Sequence, residues 1–190
     1  ALDSVLAQTY KKWELIFWDN QSTDGSQSII NSYNDERINY YYAPKHTMLS
    51  EARNCAIANT TGKYIAFLDV DDYWDKVKIE KQMNVFSTDD KIAMVYSNYH
   101  FNNETKGTIK IQYKSILPEG IILDDLLSKN VVGLLTMTIN REIIDNNRGI
   151  LFDPNLHIIG DYDLVIKIAA KHKIACVQQP LATYRWHGAN

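Results

Sequence analysis

The sequence predicts an α/β protein: an open, mostly parallel sheet flanked by helices, forming one domain over residues 1–190. Short apolar runs of strand length alternate with amphipathic stretches over the first half of the chain, and the connections between them are short. The composition is 45% apolar and 23% charged, close to that of a soluble globular domain, and the length is enough to bury a core without disulfides or structural metal.

Leu2, Val5 and Leu6 have helical spacing, so residues 2–9 read as the tail of a helix. Residues 13–19 form an apolar run ending on Asp19, followed by the turn-rich Asn20-Gln21-Ser22-Thr23-Asp24-Gly25. Ser22, Thr23 or Asp24 can cap the next helix, which runs to about Tyr33 with Ile29 and Ile30 inward. Residues 38–43 form a second strand, closed by Pro44. A helix from Ser50 to about Asn59 follows, with Gly62 as its C-terminal cap. Residues 63–68 are the most strand-like run and lead into Asp69-Val70-Asp71-Asp72. A helix over 75–86 and a strand over 92–97 complete the first half. Beyond it the pattern loosens. Residues 108–113, 135–139 and 174–177 read as strands, and 123–128 and 161–172 as helices.

The balance of 20 basic against 23 acidic residues gives a net charge of −3. No basic surface invites nucleic acid, so phosphate binding has to be local. Two cysteines, Cys55 and Cys176, are too few for a disulfide framework; they read as buried apolar fillers in a reducing, cytoplasmic setting. No apolar run approaches the ~20 residues of a membrane span.

Ligands of open α/β sheets bind outside the carboxyl ends of the strands. Two predicted strands end there in acid. Three carboxylates within four residues, Asp69, Asp71 and Asp72, repel each other, a cost that a cation relieves. Oxygen ligands with no Cys or His beside them suit Mg²⁺ or Mn²⁺, which leaves positions open for a diphosphate. The plainer reading is one helix cap and two solvated carboxylates. Asp19 can accept a hydrogen bond from a ribose or base, or simply start a turn. The loop after it lacks both glycine-rich phosphate spacings, which argues against a dinucleotide dehydrogenase and a P-loop NTPase. Tyr40-Tyr41-Tyr42 offers either a sugar platform or strand filler.

The run Asp19-Asn20-Gln21-Ser22-Thr23-Asp24-Gly25-Ser26 resembles the D-[DN]-x-S-T-D-G-[ST] signature of the inverting family-2 glycosyltransferases, which have the GT-A (nucleotide-diphospho-sugar transferase) fold. Ala52-Arg53-Asn54, followed by residues 62–72 reading GKYIAFLDVDD, is similar to that family's A-R-N…G-x-Y-[IV]-x-F-L-D-x-D-D block. Gly160-Asp161-Tyr162-Asp163-Leu164 is similar to its E-D-Y-D-L motif, and Tyr184-Arg185-Trp186-His187 to its Y-R-x-H. The four blocks stand in the family's order across essentially the whole chain.

The resemblance implies a bacterial enzyme that moves a sugar from a nucleotide-sugar, most plausibly a UDP-sugar, to a hydroxyl of a saccharide or lipid-linked saccharide, with inversion. Residues 1–100 would form the nucleotide-sugar half and 101–190 the acceptor half. Asp19 would contact the base and Asp69 the ribose and sugar; Arg53 would shape the donor pocket. Asp71 would hold Mg²⁺ or Mn²⁺, with Asp72 beside it on the donor side. His187 would be a metal ligand or phosphate partner, and Arg185 a counter-charge to phosphate. Asp161 would be the general base, although Asp at that position also caps helices. The expected setting is the inner face of the membrane, with peripheral association.

This chain departs from the family pattern at three places. Residues 44–49 replace the usual N-x-G, and Gly160 replaces the acid before the presumed base. The family's opening V-S-V-I-I-P-x-Y-N strand has no counterpart after Ala1. The resemblance therefore implies a sheet short of its first strand, with a free edge next to Asp19 through which the chain could self-associate. Two alternatives fit the residues: a non-catalytic nucleotide- or saccharide-binding module, and a sugar-nucleotide pyrophosphorylase.

Overall fold

The computed structural model describes residues 1–145, 151–156 and 158–188. Helix α1 spans Leu2–Leu6. Strand β1 (Leu15–Asp19), helix α2 (Ser26–Ser32) and strand β2 (Ile38–Tyr42) follow, then α3 (Leu49–Ala58), β3 (Tyr64–Ala66), β4 (Tyr73–Trp74) and α4 (Lys78–Phe86). The second half carries β5 (Ile92–Asn103), β6 (Thr108–Ile111), α5 (Leu123–Ser128), β7 (Thr138–Asn140), α6 (Arg141–Asp145), α7 (Gly160–Ala169) and β8 (Lys173–Trp186).

The sheet is mixed rather than mostly parallel. The pairs β1–β2 and β5–β8 are parallel; β3–β7, β5–β7, β5–β6 and β4–β8 are antiparallel. The reason is connection length. β1 reaches β2 through a helix, which allows a parallel pair. β5 and β6 are joined by the tight turn Asn103–Thr108, which forces an antiparallel one. In that turn Asn103 Oδ1 accepts the Lys106 N–H at 2.9 Å, and Gly107 takes φ +62°.

The core lies along β5 and β8. Ala93, Met94, Val95 and Tyr96 are each 0% exposed, because helices cover both faces of the sheet. Met94 and Tyr96 pack toward Leu164 and Ile168 of α7 and Leu126 of α5. Val95 points the other way, toward Phe86 of α4 and Ala175. The Tyr162 hydroxyl donates to the Leu126 carbonyl at 2.9 Å and locks α7 onto α5.

Several local expectations change. Ile30 is 2% exposed as expected, but Ile29 is 57% exposed, since the short α2 offers only one side to the sheet. Gly62 does not cap α3, which ends at Asn59. The Gly62 N–H instead donates to Glu14 Oε1 at 2.8 Å. The strand expected over 63–68 pairs only at Tyr64–Ala66, and residues 134–136 form a 3₁₀ turn ahead of β7. Cys176 is buried but Cys55 only partly so. The Tyr40-Tyr41-Tyr42 run is strand filler: Tyr40 stacks on Phe17 and Tyr41 on Trp18 across the β1–β2 pair.

β1 and β3 do not pair. Among the described residues the β1–β2 ribbon and the larger sheet are separate. A cavity of about 1330 Å³ lies between them, lined on one side by Leu15, Ile16 and Phe17 and on the other by Ile65 and Phe67. Glu14 spans the start of the gap, accepting from the Thr61 N–H at 2.5 Å and the Thr61 hydroxyl at 2.8 Å as well as from Gly62.

One charge is fully buried. The Lys78 ammonium donates to Gln82 Oε1 at 2.8 Å and sits 4.2 Å from the Trp74 ring centre. Gln82 in turn donates to the Thr136 carbonyl at 2.7 Å and accepts from the Thr138 hydroxyl at 2.7 Å. With neutral partners only, burial pushes the Lys78 pKa down to about 7 from 10.5. Between those values the unfolded chain holds a proton that the folded chain lacks, so stability rises with pH, by at most about 5 kcal/mol. Unfolding free energies from urea titrations are expected to climb between about pH 7 and 10, and Lys78→Met to flatten that climb.

Candidate active site

The loop after β1 is built around Asp19, which is 2% exposed. Its Oδ1 accepts the Ser22 N–H at 2.7 Å and its Oδ2 the Tyr40 hydroxyl at 2.7 Å. Burial alone would raise its pKa, but these hydrogen bonds outweigh burial and hold it below the usual carboxylate range. The Tyr40 phenol is pushed up to about 12 by burial and by that carboxylate. Asp19 thus spends its side chain on shaping the loop. Asn20 carries the loop onward: it donates to the Thr47 carbonyl at 2.7 Å and accepts the Thr47 N–H at 3.1 Å. Gln21 takes φ +68°, a left-handed conformation uncommon for a side-chain-bearing residue, and donates to the Ala43 carbonyl.

The three carboxylates after β3 have three different environments. Asp69 is met by Arg53 of α3, whose Nη2 lies 3.0 and 3.1 Å from its two oxygens. Arg53 is positioned from beneath by Phe152, 5.5 Å from ring centre to guanidinium. Asn54 holds Phe152 there by donating to its carbonyl at 2.8 Å and accepting its N–H at 3.1 Å. Asp71 faces His187 Nε2 at 3.2 Å, and each side chain is about a third exposed. Asp72 is 2% exposed and accepts the Arg185 N–H at 2.9 Å. Burial pushes its pKa up to about 7 against that hydrogen bond, with repulsion from Asp71 and Asp69 adding to the rise. The Arg185 guanidinium bonds the Asp71 carbonyl and reaches Glu104 at 3.2 Å.

Asp161 is the second residue of α7, and its Oδ1 accepts the N–H of the next residue, Tyr162, at 2.8 Å; it does not cap the helix, whose N-cap is Ile159 with no side-chain bond. It lines a cleft of about 390 Å³ that also touches Arg53, Asp69 and Asp72. Arg53 and Asp69 line the larger cavity as well, where they meet Asn20 and Asp71. The pair therefore stands between the two spaces. Gly160 also has a local reason: a Cβ there would lie 2.8 Å from the Ser50 hydroxyl, which bonds the Leu156 carbonyl. Close approach of α3 and α7 leaves no room for an acidic side chain at that position.

Asp71 and His187 could hold one divalent ion between them. Among the described residues no group of three His, Cys, Asp or Glu side chains is placed to cage a metal. A carboxylate oxygen beside an imidazole nitrogen suits Mn²⁺ better than Mg²⁺, which prefers oxygen alone; the ion's other positions would take water or phosphate. Reading the sequence gave Asn54 no role, and it missed Asn20 and Gln21. It also missed the aromatic residues Tyr99, Phe101, Tyr113 and Tyr184 that line the smaller cleft. The alternation of Tyr99 and Phe101 on β5 was the available signal.

A mixed sheet flanked by helices, with acidic strand ends at the site, is the arrangement of the GT-A type of glycosyltransferase fold. The model of the family described as "Glycosyl transferase family 2" matches residues 1–147, and the chain belongs to that family. It is 34% identical over 185 residues to TuaG of Bacillus subtilis, named for teichuronic acid biosynthesis, covering 96% of this chain and 71% of TuaG. It is 42% identical over 103 residues to Escherichia coli WfaP, a UDP-Glc:alpha-D-GlcNAc-diphosphoundecaprenol beta-1,3-glucosyltransferase, covering 54% of this chain and 41% of WfaP. Escherichia coli WfgD, which carries the same activity name, matches at 32% over 145 residues, 76% of this chain and 55% of WfgD. The chain thus spans between 41% and 71% of the length of these relatives.

Among solved structures, S. aureus TarS 1-349 in complex with UDP-GlcNAc superposes with a TM-score of 0.76 at 18% identity, over 100% of this chain and 54% of that one. The mannosyltransferase PcManGT from Pyrobaculum calidifontis, in complex with GDP-Man and Mn²⁺, gives 0.71 at 14%, over 100% and 53%.

Asn54 carries both bonds that seat Phe152 under Arg53. Asn54→Ala is expected to lower unfolding free energy by about 1–3 kcal/mol in urea titrations.

Proposed function

We propose that this chain is the catalytic part of a metal-dependent, inverting glycosyltransferase. It moves one sugar from a UDP-sugar to a hydroxyl of a saccharide or lipid-linked saccharide. The observation that carries the reading is the convergence of carboxylates at one place: Asp69 paired with Arg53 on the same cleft as Asp161, and Asp71 facing His187 beside it. Residues 1–100 serve the donor and residues 101–190 the acceptor. The UDP-sugar named for WfaP and bound in TarS, and the diphosphoundecaprenol-linked acceptor named for WfaP, support the choice of substrates.

In this mechanism the donor diphosphate lies toward Asp71, His187 and Arg185, and the sugar reaches Asp69 and Arg53. Asp19 holds the loop that meets the base, and Asp72 fixes the β8 backbone at Arg185 from below. Asp71 and His187 would hold the divalent ion, which would supply positive charge to the diphosphate. Asp161 accepts the proton of the acceptor hydroxyl. The freed oxygen pair bonds the anomeric carbon while the bond to the diphosphate breaks, and its electrons leave on the phosphate oxygen. One such displacement inverts the anomeric configuration.

The working place is the inner face of a membrane, reached by peripheral association. Among the described residues no helix is long and apolar enough to cross a membrane.

Calorimetry is expected to show UDP binding that requires Mn²⁺, with Asp71→Asn abolishing the binding that Mn²⁺ supports. Asp161→Asn is expected to leave UDP affinity unchanged and to slow transfer by about 10²–10⁴-fold. UDP binding without turnover on any acceptor would favour a binding module instead.

A further inference from the structure

The smaller cleft has two unlike walls. The strands and the loop after β6 contribute rings: Tyr99 and Phe101 from β5, Tyr113, and Tyr184 from β8. These rings pack in pairs, with Tyr99 edge-on to Tyr113 at 6.0 Å and Phe101 tilted against Tyr184 at 5.7 Å. The facing wall is charged. Among the described lining residues the charged groups are Arg53, Asp69, Asp72 and Asp161. The one cation is already committed, because Arg53 lies 3.0 Å from Asp69. Asp72 is buried on the Arg185 N–H, so the uncompensated charge that the lining presents is the carboxylate of Asp161. Two ammoniums lie by the rings, Lys129 at 5.2 Å from the Tyr113 ring centre and Lys110 at 5.5 Å from that of Phe101, but both are solvent-exposed and neither is part of the lining. Their charges are screened by water where that of Asp161 is partly sheltered.

A space of about 390 Å³ falls within the ~300–1,000 Å³ range of small-ligand sites. Rings on one side match the C–H face of a pyranose. Carboxylates and the Gln112 amide on the lining match its hydroxyls. The same carboxylates oppose any anion brought up to Asp161. We propose that the sugar residue carrying the attacked hydroxyl is an uncharged pyranose, and that this cleft selects it over a uronic acid by setting an aromatic wall against an anionic one. The inference rests on the glycosyltransferase reading and names the acceptor class of that site.

The test is saturation-transfer NMR on the full-length protein loaded with UDP and Mg²⁺, using octyl β-glucoside, octyl N-acetyl-β-glucosaminide and octyl β-glucuronide as probes. At least one neutral glycoside is expected to bind at least about 30-fold more tightly than the glucuronide. Asp161→Asn is expected to narrow that ratio. Tyr113→Ala is expected to weaken neutral binding by about 10-fold with UDP affinity unchanged, while Tyr113→Phe retains it. Glucuronide binding equal to or tighter than neutral binding would overturn the proposal. So would a protein that binds UDP but none of the three glycosides, or a ratio indifferent to Asp161→Asn. Failure to bind UDP in any metal would instead sink the glycosyltransferase reading on which the proposal stands.

Discussion

Three carboxylates leave the end of β3 within four residues, and their mutual repulsion is the constraint around which the surrounding chain is arranged. Each one meets a different answer. Asp69 meets a guanidinium from α3, Asp71 an imidazole from the end of β8, and Asp72 a backbone N–H from the same strand. These partners come from distant parts of the sequence, so satisfying the carboxylates brings α3, β3 and β8 together at one point. The two cavities open on either side of that point.

The supports of this arrangement are themselves polar and specific. Arg53 needs Phe152 behind it, and Phe152 is held by the two bonds of Asn54. Asp19 fixes its own loop through Ser22 and Tyr40, and Asn20 then ties that loop to Thr47. Gly160 lets α7 start close to Ser50, which carries Asp161 into the cleft beside Arg53. The apolar core along β5 and β8 supplies the stability, and the polar contacts at the strand ends supply the geometry.

The positions of strands and helices in the first half could be read directly, because short apolar runs ending in acid and then turning are distinctive. Asp69 and Asp71 stood out by residue type and spacing, and Asp161 only through the family resemblance, since an Asp ahead of an apolar helix also reads as a cap. Strand direction could not be read, since the pairing of β3 with β7 is decided by chain far downstream. β8 was seen only as fragments because Gln178, Gln179 and Pro180 interrupt its apolar pattern, and its pairing with β5 shifts register there. Lys78 gave no sign of being buried, for a lysine in an amphipathic helix normally reaches water. The aromatic wall was hidden because alternation along a strand shows that Tyr99 and Phe101 share a face, not that a cavity lies over it.

The long parallel pair of β5 and β8 has a mechanical consequence. A strand of 14 residues reaches on the order of 45 Å, and β8 is bonded to β5 from Lys173 near one end to Trp186 at the other. The rings of Tyr99, Phe101 and Tyr184 ride on this ribbon, and His187 follows it directly. The aromatic wall of the smaller cleft and the Asp71–His187 contact therefore share one beam, held in the core at Ile174. A tilt of that beam would shift both in the same stroke.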